Sequence, residues 1–196
     1  IRGNLYKSES KRTKLKQQLK SLSDWIKTLD LTIIIENIKN ENTPRAVQLL
    51  NKTNQMNLST RRLNEREFNK WVQEDKNNLW TIRAADKFGD YGIVGIFSIS
   101  IKDNVATLVD FILSCRVVGR YIEETMIEFL KEFCYENNVN KIKGKYKKTE
   151  KNSLCYYFFN KLKLIDSNQH SFEFSSNQKK SNLLNIKVKK PTMEKK

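Results

Sequence analysis

The 196-residue chain is poor in the residues that mark several common classes of protein. Three cysteines, Cys115, Cys134 and Cys155, with no CxxC spacing, argue against a disulfide scaffold or a zinc ribbon and make a reduced cytoplasm the default compartment. No metal centre is expected. The one histidine, His170, lies in a late polar stretch, so no histidine is paired with a nucleophile. No apolar run approaches the ~20 residues that cross a bilayer, and no charged-then-apolar signal segment opens the chain, so no membrane partner is expected. There is no internal repeat. The chain begins at Ile1 rather than Met, as a fragment or a processed piece would.

What it has in excess is positive charge, +15 in all, unevenly placed. Residues 1–20 carry seven Lys/Arg against one Glu, and residues 141–196 carry fifteen Lys against four acids. Residues 21–140, with fifteen bases and seventeen acids, are nearly neutral. Basic ends suit nucleic acid, an acidic protein or a phosphorylated ligand, or are simply a solvated Lys/Asn-rich surface. The basic residues lack interleaved aromatics, which disfavours nucleic acid.

The most informative stretch is Val105–Leu130. Val105–Cys115 is apolar and β-branched without helical period, a buried strand. Ile122, Met126, Ile127 and Leu130 then share one face of a helix whose other face carries Glu123, Glu124 and Glu128. Between them Arg116–Arg120 forms a basic turn with a glycine. A turn delivered to a helix N-terminus gathers unpaired N–H groups and the positive dipole end, which makes it an anion site or else an ordinary packing turn.

Elsewhere the patterns predict a short helix over Ser21–Leu29, a strand over Leu31–Ile38, and a helix from Arg45 to about Gln55 started by Thr43 and Pro44. A second helix, opened by an Asn64/Glu67 capping box, buries Phe68, Trp71 and Val72. Strands over Leu79–Ala85 and Ile93–Ile101 form a hairpin across Phe88–Gly92, and Asp103-Asn104 turns the chain into the central strand. Lys141–Tyr146 is a further strand and Asn152–Leu162 a helix packed through Leu154, Phe158 and Phe159. Ser171–Phe174 and Leu184–Val188 read as a last hairpin. Residues 1–29 are a helical lead-in, 30–188 one α/β domain, and 189–196 a disordered basic tail.

This order, with the basic turn after the fourth strand, resembles the GNAT acyltransferase fold, a mixed, mostly antiparallel sheet flanked by helices. In that family the turn pattern R/Q-x-x-G-x-G/A takes the pyrophosphate of coenzyme A and the preceding strand receives the pantetheine arm. Arg116, Gly119 and Tyr121 occupy the pattern here, with Tyr121 in place of the final small residue. A closer resemblance is to the C-terminal part of FkbH-like proteins, carried by Arg45–Arg62, Asp86–Gly92 and Leu113–Arg120 in that order. Those proteins join a haloacid-dehalogenase-type domain to a GNAT-like one. The resemblance implies loading of a phosphoglycerate-derived glyceryl group onto the phosphopantetheine of an acyl carrier protein. No Asp-x-Asp motif occurs in the chain, so the phosphatase-type half is absent and no phosphatase activity is expected.

Under this resemblance Phe111, Leu113, Ser114, Arg116, Val118, Gly119, Arg120 and Asn152 are expected to hold phosphopantetheine or coenzyme A. Cys115 is the candidate nucleophile, with Arg116, Arg120 and the helix N-terminus favouring its thiolate; as a free cysteine it equally suits a small buried hydrophobe. Cys134 and Cys155 read as core. The tyrosine that protonates the departing thiol in many GNAT enzymes aligns with Phe159, leaving Tyr156 or Tyr157 as substitute acid, Tyr156 being the weak candidate. Asn54, Gln55, Asn57, Arg61 and Arg62 offer amides and guanidiniums to a small polar acyl group, or else form a turn network. The alternatives are a non-catalytic domain that docks a carrier protein or partner domain, and a coenzyme A-dependent N-acetyltransferase.

Overall fold

The computed structural model describes residues 10–13, 21–162, 165–166, 171–177 and 186–193. Its elements are α1 (Leu22–Leu29), β1 (Thr32–Asn37), α2 (Thr43–Lys52), β2 (Met56–Asn57), α3 (Glu65–Gln73), β3 (Asn77–Asp86), β4 (Gly89–Lys102), β5 (Val105–Leu113), α4 (Ile122–Glu136), β6 (Lys141–Lys145), α5 (Ser153–Lys161), β7 (Ile165–Asp166), β8 (Ser171–Ser175) and β9 (Lys187–Lys189). One sheet runs β7-β8-β6-β5-β4-β3-β1-β9, with β2 added to β5. Pairing is antiparallel except for β5 with β6 and β1 with β9.

Both sheet faces are covered, so the central strands are apolar on alternate sides. Leu79, Ile96 and Ile112 point to one face, against Ala46, Leu49 and Leu50 of α2 and Phe68 of α3. Trp80, Phe97, Phe111 and Leu113 point to the other, against α4 and α5. There Trp80 stacks on Phe97 at 5.2 Å and meets Phe129 and Phe133 edge-on at 5.2 and 4.8 Å. Aromatic pairs of this kind are worth about 0.5–1.5 kcal/mol each beyond their area. The capping box forms as expected: Asn64 Oδ1 accepts the Glu67 N–H, and a Glu67 carboxylate oxygen accepts the Asn64 N–H.

Four expectations are corrected. The helix begun at Thr43 stops at Lys52, not Gln55, because Asn57 Nδ2 donates to the Thr53 carbonyl and holds Thr53 extended. Leu154 is exposed on α5, whose buried residues are Cys155 and Phe159. The last two strands are not a hairpin: β8 pairs β6, while β9 pairs β1 at the far edge, and Met193 beyond it packs on the core. Local pattern marks a strand but not its partner, and both edges were open to one. Finally, Arg12 in the lead-in is buried, its guanidinium bidentate on Asp86 at 2.7 and 2.8 Å. Expectations for His170 and residues 194–196 lie outside the described residues.

Candidate functional site

β5 and β6 are parallel neighbours only from Val105 to Leu108, opposite Lys141 to Gly144. Beyond that they part, while β4 continues along the other edge of β5 to Leu113. Into the opening comes Met56–Leu58. Met56 pairs with Leu113 and Asn57 with Ile112, the Leu58 N–H donates to the Phe111 carbonyl at 3.2 Å, and the Lys147 N–H donates to the Leu58 carbonyl at 3.0 Å. The backbone edge of Phe111–Leu113, expected to receive a pantetheine arm, is therefore occupied by the chain itself. Asn152 locks it there: it is fully buried, donates to the Asn57 and Lys147 carbonyls at 3.0 and 2.8 Å, and accepts from Tyr146 at 2.7 Å. Asn57 is buried too, its amide bonded to the Thr53 carbonyl and the Thr60 N–H.

Where β5 ends, a cleft of about 890 Å³ opens between the strand end, α2 and the start of α5. Five residues singled out in the sequence line it: Asn54, Gln55, Ser114, Cys115 and Arg116. Cys115 is exposed, so it is not a core residue, whereas Cys134 and Cys155 are buried. Burial pushes the Cys155 thiol up to about 12. The cleft also holds residues that sequence reasoning missed, Arg45, Gln48 and Lys52 of α2 together with Glu150, Lys151 and Ser153. The signal for the first three was present: Arg45, Gln48, Leu49 and Lys52 follow the i, i+3, i+4, i+7 spacing of one helix face.

The other predicted residues are used elsewhere. Arg61 is bidentate on the buried Asp110, Nε to Oδ1 at 2.8 Å, and lies over Trp71 at 4.4 Å. Arg62 donates to the Leu50 carbonyl and to Asn54 Oδ1 at 2.5 and 2.8 Å, which ties Asn54 to the end of α2. Arg120 is buried, bonded to the Tyr91 hydroxyl, 3.9 Å from Asp86 and over the Trp25 ring. It therefore faces α1, not Cys115. Val118 packs against the core, and the Tyr156 ring lies against Tyr146 at 5.6 Å, outside the cleft lining.

Asp86 is the hub of that buried group. Burial alone would raise its carboxyl, but hydrogen bonds from Arg12, from Tyr91 Oη at 2.6 Å and from the Phe88 N–H at 2.9 Å hold it below the usual range. The Asp86–Gly92 and Leu113–Arg120 segments thus meet physically, as a clasp between Tyr91 and Arg120 under the lead-in.

At the basic turn, Gly119 (φ +76°) and Tyr121 (φ +62°) are both left-handed and Tyr121 precedes α4. The Gly119 N–H, expected to face a phosphate, donates instead to Glu123 Oε1 at 2.7 Å. Glu123 is buried, its Oε2 has no hydrogen-bond partner among the described residues, and burial pushes its carboxyl up to about 7. The turn thus carries its own acceptor for the Gly119 N–H. Among the described residues no group of three or more His, Cys, Asp or Glu could hold a metal, and no helix is long and apolar enough to cross a membrane.

No protein-family model matches the sequence, and no curated protein matches it significantly. Solved structures do resemble the fold. The ribosomal-protein-S18-alanine N-acetyltransferase from Escherichia coli superposes with a TM-score of 0.54 at 9% identity, covering 77% of this chain and 98% of its own. An acetyltransferase of the GNAT family from Staphylococcus aureus gives 0.54 at 11% identity, covering 74% and 99%. The PaiA N-acetyltransferase from Thermoplasma acidophilum, solved in complex with coenzyme A, gives 0.51 at 14%, covering 73% and 98%. At these identities the likeness is one of architecture, and the chain has the fold of the GNAT acetyltransferases.

Proposed function

We propose that this chain is the acyltransferase-like domain of an FkbH-like protein and helps pass a small, glyceryl-type acyl group to the phosphopantetheine thiol of an acyl carrier protein. The observation that carries the reading is the placement of Cys115: an exposed thiol at the end of β5, in a cleft walled by Arg116, Asn54 and Gln55. The Cys115 thiolate attacks the carbonyl of an incoming acyl thioester, the C–S bond to the donor breaks, and the donor leaves as a thiol. A second exchange passes the acyl group to the carrier thiol and returns Cys115. In this exchange one thiolate attacks and another of similar basicity departs, so no net proton has to be delivered and the tyrosine acid that Phe159 replaces is not needed. Because Met56–Leu58 fills the β5 edge, the pantetheine arm enters through the cleft rather than alongside Phe111–Leu113. The basic ends suit an acidic carrier protein and steer its approach. A haloacid-dehalogenase-type domain would supply the acyl group.

The second reading, a non-catalytic domain that docks the carrier or a partner domain, is favoured by the filled β5 edge and by the Glu123 carboxylate on the Gly119 N–H. Both features also weigh against a coenzyme A-dependent N-acetyltransferase. The deciding experiment is intact mass of the wild-type chain and its Cys115→Ala variant after incubation with an acyl-loaded carrier protein. A gain equal to the acyl group, absent from the variant, supports the covalent route. Carrier binding without an adduct transfers the assignment to the docking domain.

A further inference from the structure

The positive charge around Cys115 is more than a thiol needs. Arg45, Lys52, Arg116 and Lys151 all line the cleft, against the single carboxylate of Glu150. Among the described residues no carboxylate lies within 4 Å of either guanidinium. Arg45 is also held in place. Its Nε donates to the Ile93 carbonyl of β4 at 3.1 Å and its Nη1 to Gln48 Oε1, so its remaining N–H groups are fixed relative to the sheet. Arg116 projects from the strand end, and among the described residues its one hydrogen-bond contact is a long 3.5 Å approach to Ser114 Oγ. The two like charges feel each other: burial first, then the Arg116 charge, lowers the Arg45 pKa. Two guanidiniums that line one cleft without a carboxylate partner repel, and an anion bound by both turns that repulsion into attraction, with donor geometry that suits a phosphate.

The other place where this fold offers an anion site is shut. The Gly119 N–H is taken by Glu123, whose carboxyl oxygen stands where a phosphate oxygen would accept. We infer that the cleft is an anion site in which Arg45 and Arg116, backed by Lys52 and Lys151, hold a single phosphate-ester group, while the Gly119 turn holds none. This inference takes the cleft to be the working site proposed above, but it does not require thioester chemistry at Cys115. The phosphate has two sources, the pantetheine arm or a phosphorylated acyl group, and both present the same dianionic or monoanionic oxygens.

The test is calorimetric titration of the full chain with inorganic phosphate, phosphopantetheine and phosphoglycerate, beside their unphosphorylated counterparts pantetheine and glycerate. Phosphorylated ligands are expected to bind at least about tenfold more tightly than the counterparts, and Arg45→Gln and Arg116→Gln each to weaken them by about tenfold or more. Binding should fall with added salt, and Lys102→Gln, on the distant β4–β5 turn, should leave it unchanged. A preference for phosphopantetheine identifies the arm as the source, and a preference for phosphoglycerate the acyl group. Phosphate-independent binding, or binding indifferent to both arginine variants, overturns the inference. Arg116 is exposed, so its variant tests the site without threatening the fold. The titration uses no acyl donor and the adduct assay reads mass, so failure of the anion site and failure of the acyl adduct are read separately.

Discussion

Arg61 and Asp110 form a two-pronged ion pair across the sheet face, with the Asp110 side chain fully buried and Arg61 one-fifth exposed. Ser98 Oγ and Ser59 Oγ donate to the same carboxylate at 2.6 and 3.0 Å, so both of its oxygens are satisfied. This pair ties the loop after β2 to the middle of β5. Asp110→Ala leaves a guanidinium and two hydroxyls without their acceptor and is expected to cost about 3–5 kcal/mol, measured by urea unfolding. Asp110→Asn, which keeps one oxygen for Ser98, should lose less. A cost below about 1 kcal/mol for the alanine variant would show that Arg61 finds water instead, and would return it to the ligand-binding candidates.

Glu123 gives a pH dependence of definite sign. Its folded pKa of about 7 lies above the ordinary 4.5, so between those values the folded chain holds a proton that the unfolded chain has lost. Its contribution to stability is therefore complete below about pH 4.5 and disappears as pH rises toward 7, a change on the order of 3 kcal/mol. Glu123→Gln keeps an oxygen for the Gly119 N–H and should flatten that part of the profile. Chemical denaturation of both proteins at several pH values checks this, and parallel profiles would rule it out. The groups around it, Glu124 and Lys161, act in opposite directions on its charge.

The three thiols should separate by accessibility. With Cys115 exposed and Cys134 and Cys155 buried, iodoacetamide should add one carbamidomethyl group to the native chain and three after denaturation. Mass spectrometry of the digest would locate the first at Cys115. Rapid native labelling of Cys155, whose thiol burial pushes to about 12, would contradict the packing of α5.

Two glycines are demanded by close approach. A Cβ on Gly95 would lie 2.9 Å from the Ile112 carbonyl oxygen and 3.0 Å from Leu113 Cδ1, at the register where β4 and β5 deliver the cleft. On Gly144 it would lie 2.3 Å from Phe172 Cζ, within a ring stack continued by Phe159. Alanine at either is expected to cost about 1–3 kcal/mol in thermal or urea unfolding. The Gly95 variant should also weaken ligand binding in the cleft, since a backbone carbonyl cannot swing aside as a side chain can.

Much of the fold was legible because it rests on local periodicity. The apolar alternation from Leu79 to Leu113, the Asn64/Glu67 box and the 3.6-residue stripe of α4 specify a strand, cap or helix within a few residues of sequence. The order of those elements, with a basic turn before α4, was enough to identify the architecture. Side-chain allegiance was not legible. Arg61, Arg62 and Arg120 looked like free guanidiniums because their partners Asp110, Asn54 and Tyr91 lie 49, 8 and 29 residues away. Asn57 and Asn152, 95 residues apart, read as ligand amides until tertiary folding joined them into the lock behind β2.

The sequence by itself determined the architecture and placed a thiol, readable as nucleophile or as buried hydrophobe, beside an arginine at the end of the central strand. Only the tertiary structure decided which charges remain for a ligand. Burial drives each arginine it reaches to find a carboxylate, hydroxyl or carbonyl, which consumes Arg12, Arg61 and Arg120 in the clasp and the loop tether. Arg45 and Arg116 line an open cleft, and among the described residues neither has a carboxylate within 4 Å, which is the arrangement on which the anion site is proposed.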